Sequence, residues 1–340
     1  MVFRGLWVGF GGLFCGDDSS ESKNLNRLLL LSVAFGVLTY SVAHIYRMLA
    51  TSFRMVDTPN HRSAHEGLVP TGAGVSFVLV FMVGLYFVSQ YESFTGSSEV
   101  FLHSMPALIG VAVVGFFDDY RPLSWKTRLL VHTISCAYIV WVAGVPVVNA
   151  LGVELNLGFV GNILTVLSLI WLLNLYNFMD GIDGIAIGEA VCVLFFAAAI
   201  ALYFDLGSAT QPAISLLSCS IGFLVVNWPR ARVFMGDGGS GFLGLTFGVF
   251  VVTETMVPIW SWLILLGWFV TDASLTIVLR FVRRQRIHEA HSEHAYQHLN
   301  RAVGTSKTLL IVGLFNAVYL LPLAAQAAIS KDWGFGLVLL

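Results

Sequence analysis

Ten long apolar runs dominate this sequence, at about residues 27–49, 72–90, 101–117, 127–144, 159–173, 185–204, 212–228, 239–254, 259–281 and 307–329. A helix that crosses a bilayer needs roughly 20 apolar residues, because lipid offers its backbone no hydrogen-bond partners. The fifth run is short and extends through the helical start of the loop that follows it. Composition agrees. Hydrophobic residues make up 57% of the chain and charged residues 11%, against about 25% charged in soluble domains. The expected fold is an all-α polytopic membrane protein with about ten transmembrane helices, forming a single domain over residues 27–329. Residues 1–26 are apolar through Phe14 and then polar. They read as a leader without an evident signal-peptide cleavage site, and the sequence leaves open whether it belongs to the mature protein. Residues 330–340 form a C-terminal tail.

Charge placement sets the expected orientation. Fourteen of the eighteen lysines and arginines fall in the loops after runs one, three, seven and nine. The positive-inside bias therefore puts the odd-numbered loops on the cytoplasmic side and both chain ends outside. Arg280, Arg283, Arg284 and Arg286 read mainly as the ordinary anchor that this bias produces. On the other side, residues 145–158 alternate apolar and polar types around Gly152, the pattern of a small hairpin. The four cysteines are scattered without metal-binding spacing and read as small buried hydrophobes.

The residues that can do chemistry crowd into the odd loops. The third carries Asp118-Asp119-Tyr120-Arg121, then Lys126 and Arg128. The fifth reads Asn174-Leu175-Tyr176-Asn177-Phe178-Met179-Asp180-Gly181-Ile182-Asp183-Gly184. The seventh holds Arg230, Arg232 and Gly236-Asp237-Gly238-Gly239-Ser240-Gly241, and the ninth holds His288, His291, His294 and His298. Any one of these has a plain structural reading, as a helix cap, an end-of-helix charge pair or a packing glycine. Together they read differently. Five acids on one face, Asp118, Asp119, Asp180, Asp183 and Asp237, suit a hard divalent cation, and magnesium completes its shell with water and phosphate oxygens. Lys126, Arg128, Arg230, Arg232 and the histidines supply the charge that a phosphoryl group needs. Histidine clusters also suit zinc, but no HExxH and no nearby cysteine accompanies this one. Asp272 lies inside the ninth run. Intramembrane acids are functional by default, with a buried hydrogen bond as the alternative.

The stretches DDYRPLSWKTRLL, NLYNFMDGIDGIA, NWPRARVFMGDGGSGFLG and HEAHSEHAYQHL resemble the polyprenyl-phosphate N-acetylhexosamine-1-phosphate transferases, a superfamily of glycosyltransferase family 4 type. The likeness covers about Asp57 to Leu299 and takes the odd loops in order. It implies Mg2+-dependent transfer of a sugar 1-phosphate from a UDP-N-acetylhexosamine to undecaprenyl phosphate, with release of UMP. Mn2+ is a plausible substitute metal. The implied setting is a bacterial inner membrane. Partners are the bilayer and the two substrates, with no nucleic acid, and a homodimer is compatible with them. By motif, Asp118 and Asp119 match the catalytic aspartate pair, and Asn177 and Asp237 match positions that hold Mg2+. Asn174, Asp180 and Asp183 match the nucleotide-contacting loop. Lys126 matches the basic residue near the phosphates, and His288, His291 and His294 fall in the histidine loop beside the sugar nucleotide. Asp118 is expected to take the proton of the lipid phosphate, or alternatively to form an aspartyl-phosphate; Asp119 orients it.

The chain departs from the pattern at Gly72-Ala73-Gly74, where members often carry a glycine pair, and at Leu68-Val69, where a basic residue sometimes stands. The His-Ala-Tyr-Gln sequence points to O-antigen initiation with a modified N-acetylated sugar. The phospho-MurNAc-pentapeptide transferase of peptidoglycan synthesis is the alternative within the superfamily. A transporter is the alternative outside it, but that would place polar residues near the midplane of two related halves. Here the acids gather at one mouth.

Overall fold

All ten apolar runs become helix. The computed structural model describes residues 19–50, 52, 55–57, 68–91, 96–150, 152–155, 157–206, 210–285, 292–330 and 334–338. The helices are α1 (Ser19–Ala50), α2 (Val75–Tyr91), α3 (Ser97–Tyr120), α4 (Trp125–Ala143), α5 (Gly158–Phe178), α6 (Ile185–Tyr203), α7 (Gln211–Asn227) and α8 (Gly236–Thr253). They continue with α9 (Ile259–Leu265), α10 (Gly267–Val282), α11 (Ala295–Val303), α12 (Thr305–Phe315), a π-helical turn (Asn316–Leu320), α13 (Leu321–Ile329) and α14 (Gly334–Val338). Five segments are long and apolar enough to cross a membrane unaided: Leu30–Ala50, Ser97–Tyr120, Gly158–Phe178, Ile185–Tyr203 and Thr305–Ile329. A sixth is the broken pair α9–α10, whose halves are bent by 68°. Val75–Tyr91 and Gln211–Asn227 are shorter apolar helices.

Three boundaries differ from the sequence expectation. Helix α1 starts at Ser19, so part of the expected leader is helical; residues 1–18 lie outside the described set. The ninth run is two helices meeting at Leu266; Gly267 follows the break, as at many sharp kinks. In the tail, Gly334–Val338 forms a short helix. The hairpin is present. β3 (Val148–Ala150) pairs antiparallel with β4 (Val153–Leu155), with Gly152 at φ +78° in the turn. A second short ladder, β1 (Val56–Asp57) with β2 (Val69–Pro70), closes the first loop.

Helix α8 is the axis of the bundle. Every residue from Gly238 to Val252 is buried, so this helix presents no face to lipid, the mark of a core helix. Its most extensive packing is against α3 and then α5. Glycines make this approach close. A Cβ on Gly115 of α3 would stand 2.5 Å from the Gly238 nitrogen. One on Gly244 would stand 2.8 Å from the Leu173 Cα of α5. Small residues at the contact let helix backbones come together where lipid offers no hydrophobic gain. Along α8, Phe242 meets Phe77 and Phe81 edge-on, Phe250 stacks on Phe101 and Trp262, and Phe247 meets Phe250 edge-on and Trp262 at a tilt, with ring centres 5.2–6.3 Å apart.

Candidate active site

The N-terminus of α8 gathers the odd loops. Ala73 and Gly74 of the first loop donate their N–H groups to the carbonyls of Phe234 and Met235, at 3.0 and 2.8 Å. The third and fifth loops close around the same point, and the ninth reaches the fifth. Asp119, at the end of α3, accepts the N–H groups of Asp237 and Gly238 at 2.9 and 3.3 Å. The first N–H groups of a helix have no partner within it, and the dipole favours an anion there. The Asp119 carboxylate occupies the place a Cβ on Gly236 would take, and Gly236 sits at φ +76°. No residue but glycine suits both demands.

Asp118 and Asp237 share one cation. Arg128 Nη1 lies 2.6 Å from Asp118 Oδ2 and 3.1 Å from Asp237 Oδ2. The other Asp118 oxygen accepts the N–H of Leu123 at 2.6 Å. Ser124 caps α4 through its Oγ, which accepts the N–H of Thr127 at 3.1 Å; this starts the helix one turn before Arg128. From α5, Asn177 Nδ2 donates to Asp237 Oδ1 and to Ser240 Oγ, each at 2.9 Å.

Asp180 completes the group. Its carboxyl makes no hydrogen bond among the described residues, and it is pushed up to about 8 by burial first and then by the charges of Asp237, Asp119 and Asp183. Among the described residues, four carboxylates thus gather at this centre, and one guanidinium bridges two of them. A surplus of buried negative charge is unfavourable until a cation or protons neutralise it. The carboxylate oxygens gathered here suit a hard cation such as Mg2+, while Asn177 turns its Nδ2 to Asp237. No group of three or more His, Cys, Asp or Glu stands at metal-holding distance among the described residues. Magnesium needs only one or two carboxylates, the rest of its shell being water and phosphate, so the donor set fits it.

Comparison with known proteins points the same way. The family described as Glycosyl transferase family 4 matches residues 100–255. A probable undecaprenyl-phosphate N-acetylglucosaminyl 1-phosphate transferase of Bacillus subtilis is 26% identical, over 88% of this chain and 85% of its own length. An undecaprenyl-phosphate alpha-N-acetylglucosaminyl 1-phosphate transferase of Thermotoga maritima is also 26% identical, over 83% of this chain and 86% of its own. A decaprenyl-phosphate N-acetylglucosaminephosphotransferase of Mycolicibacterium smegmatis is 28% identical over 68% of this chain and 61% of its own. The chain is thus similar to polyprenyl-phosphate N-acetylhexosamine-1-phosphate transferases along most of its length, with the family match at its centre.

In this transferase the residues expected from sequence divide into three groups. Asp118, Asp119, Asn177, Asp180, Asp237 and Arg128 come together as described. Others stand near the centre but are engaged elsewhere. Asp183 accepts the N–H of Ala231 at 2.9 Å and ties the fifth loop to the seventh. Asn174 turns back to the Ile170 carbonyl of its own helix at 2.7 Å. Lys126 is exposed, with its Nζ 5.8 Å from the Trp125 ring centre; the cation at the acids is Arg128. The third group is the histidine loop. His288 and His291 lie outside the described residues. His294 is buried, with Nδ1 3.4 Å from Asp272 Oδ1 and its ring stacked on Tyr296.

Asp272 takes the hydrogen-bonded role. It accepts the N–H groups of Ala295 and Tyr296, at 2.8 and 3.0 Å, and so caps α11 from within α10. Arg280, expected as a surface anchor, is instead buried and donates to Glu293 Oε1 at 2.7 Å. Two positioning residues were not singled out from sequence. Tyr296 donates its hydroxyl to the Phe178 carbonyl at 3.3 Å, joining the ninth loop to the fifth. Asn227 accepts the N–H of Gly184 at 3.1 Å and donates to the Val233 carbonyl at 2.8 Å. Its signal was an amide at the end of an apolar run, just before Trp228-Pro229.

Proposed function

We propose that this transferase moves an N-acetylhexosamine 1-phosphate, most simply N-acetylglucosamine 1-phosphate, from a UDP-sugar to undecaprenyl or a related polyprenyl phosphate, releasing UMP. The observation that carries this reading is the joining of Asp118, Asp119, Asp180 and Asp237 with Asn177 and Arg128 at one mouth of an apolar bundle. The names of the relatives supply the acceptor and the sugar. The expected topology is about ten crossings in a bacterial inner membrane with the acid centre cytoplasmic, where a nucleotide sugar is made. The lipid-linked product would begin a cell-envelope glycan such as O-antigen. The His-Ala-Tyr-Gln sequence supports the O-antigen assignment.

Two anions must meet, because the acceptor phosphate attacks the β-phosphorus of the UDP-sugar. Asp237 and Asn177, with Asp119 beside them, would hold Mg2+, which would supply positive charge to the pyrophosphate. Arg128 adds a second positive charge on the same side. Asp118 holds Arg128 in place through its 2.6 Å contact. Both oxygens of Asp118 and both of Asp119 are engaged, whereas Asp180 is unbonded. Asp180 is therefore the better proton acceptor for the lipid phosphate, in place of the Asp118 assignment made from sequence. Lys126, exposed at the rim, can meet the incoming phosphates.

The test is UMP release by purified protein with Mg2+, undecaprenyl phosphate and a panel of UDP-sugars. Release that requires both the lipid and a UDP-N-acetylhexosamine is expected. Absence of release with every such sugar would remove the proposal. Enzyme incubated with UDP-sugar alone separates the two chemical routes. A stoichiometric burst of UMP before lipid is added would show a covalent intermediate and rule out the direct attack described here.

A further inference from the structure

Glu189 is a buried acid with no part in the centre above. It lies in the second turn of α6, 3% exposed, and its Oε2 accepts Asn316 Nδ2 at 2.6 Å. Asn316 is 1% exposed and opens the π-helical turn of the last span. The remaining oxygen of each side chain, Glu189 Oε1 and Asn316 Oδ1, is sealed from solvent without a hydrogen-bond partner. Two acceptors left over on a carboxyl and an amide that already share one bond suit a ring closed by a second bond between them. A carboxylic acid can donate from Oε1 to the amide oxygen while the amide donates to Oε2, and the ring then satisfies all four groups. A carboxylate cannot do so and would leave a buried charge uncompensated. No ion pair reaches Glu189 among the described residues. The titratable groups that face it, Tyr176 and Cys192, offer no positive charge in either protonation state.

We infer that Glu189 carries its proton in the folded protein and closes a two-bonded ring with Asn316, so that the last span buttresses the fifth loop. The surroundings of the ring agree. Helix α6 begins directly after Gly184, the end of the loop that carries Asp180 and Asp183. The Ala186 carbonyl, one turn before Glu189, accepts the Tyr176 hydroxyl at 2.9 Å. Leu309 of α12 presses on Gly184, where a Cβ would stand 3.2 Å from Leu309 Cδ1. The π-helical turn places Asn316 opposite Glu189. Pro322 follows it with no N–H to give the preceding turn, and π turns mark functional positions in many helices. Glu189 is thus a positioning residue, acting on Asp180 through the start of α6.

The experiment uses purified protein in lipid nanodiscs, without substrate, so its result does not depend on the proposed reaction. The infrared spectrum of parent minus Glu189→Gln at pH 8 is expected to show the carbonyl stretch of a protonated carboxylic acid, shifted in heavy water. Glu189→Gln keeps the ring as an amide pair and is expected to hold the parent melting temperature, whereas Glu189→Ala and Asn316→Leu lower it. Amide exchange over residues 180–184 should quicken in Glu189→Ala, and be restored in Glu189→Gln. Leu85→Ala, a buried change on α2, controls for general loosening and should leave those amides slow. A carboxylate band in the difference spectrum, or Glu189→Gln as harmful as Glu189→Ala, would overturn the protonated ring. Unchanged exchange in Glu189→Ala, or equal quickening in Leu85→Ala, would overturn the buttress.

Discussion

Arg128 is the residue on which the acid centre balances, because it is the only cation seen bridging two of the four carboxylates there among the described residues. Arg128→Gln leaves Asp118 and Asp237 facing one another without it, and a lost charge-stabilising donor costs on the order of 10²–10³ in turnover. A fall of that size in UMP release is the expected outcome, with a smaller one for Lys126→Gln at the rim; the reverse ranking would refute the assignment. Asp180 sets a pH dependence of stability. Its carboxyl titrates at about 8 in the fold, against about 3.9 in an unfolded chain. The unfolded state therefore loses this proton first, and Asp180 removes stability as pH rises from about 4 to about 8. Asp180→Asn is expected to flatten that fall and to melt higher than the parent at pH 8 in chelator. Thermal unfolding at pH 5 and pH 8 checks it, and an unchanged slope would count against the buried, acid-crowded setting. At this scale the sequence showed which residue types gather, since acids and bases beside apolar runs have few uses. It could not show which oxygen bonds which donor. Asp272 is satisfied by N–H groups more than twenty residues away, and Asp119 by those of a helix more than a hundred residues on. Pairings of that separation leave no local pattern.

Helices were legible as apolar runs, and all ten formed. Their environments were not, because lipid and protein interior select the same residue types. Helix α8 is enclosed on all sides, while α4 exposes Leu130, Ile134 and Trp141, yet both read as one apolar run. The break at Leu266 was hidden for a similar reason: no proline interrupts the ninth run, and its nearest charge, Asp272, stands well beyond the break. What distinguishes α8 is its glycines, and they allow a comparison within α3. A Cβ on Gly115 would collide with the α8 backbone, at 2.5 Å from the Gly238 nitrogen. One on Gly110 would meet Ser135 Oγ at 3.5 Å, an ordinary contact. Gly115→Ala should therefore cost about 1–3 kcal/mol through backbone displacement and lower activity with it. Gly110→Ala should be neutral or stabilising by up to about 1 kcal/mol, since alanine is the better helix former. Equal effects of the two on melting temperature would contradict the close α3–α8 approach.

For the whole molecule, the proposed orientation is open to labelling. In a cysteine-free background, cysteines at Ser124 and Arg230 beside the acid centre should resist a membrane-impermeant reagent added to intact cells. Cysteines at Val147 and Asp205, in the loops at the other ends of the spans, should react. Labelling in the opposite pattern would invert the topology. One further consequence concerns how the molecule is built. Helix α8 carries Asp237 and has no surface of its own for lipid, so it is poorly suited to wait alone in a bilayer. Most of what surrounds it, including α2, α3, α4 and α5, is synthesised before it. The ribosome thus delivers the central helix into a socket most of whose walls already stand, and the reaction centre comes into being at the moment that socket is filled.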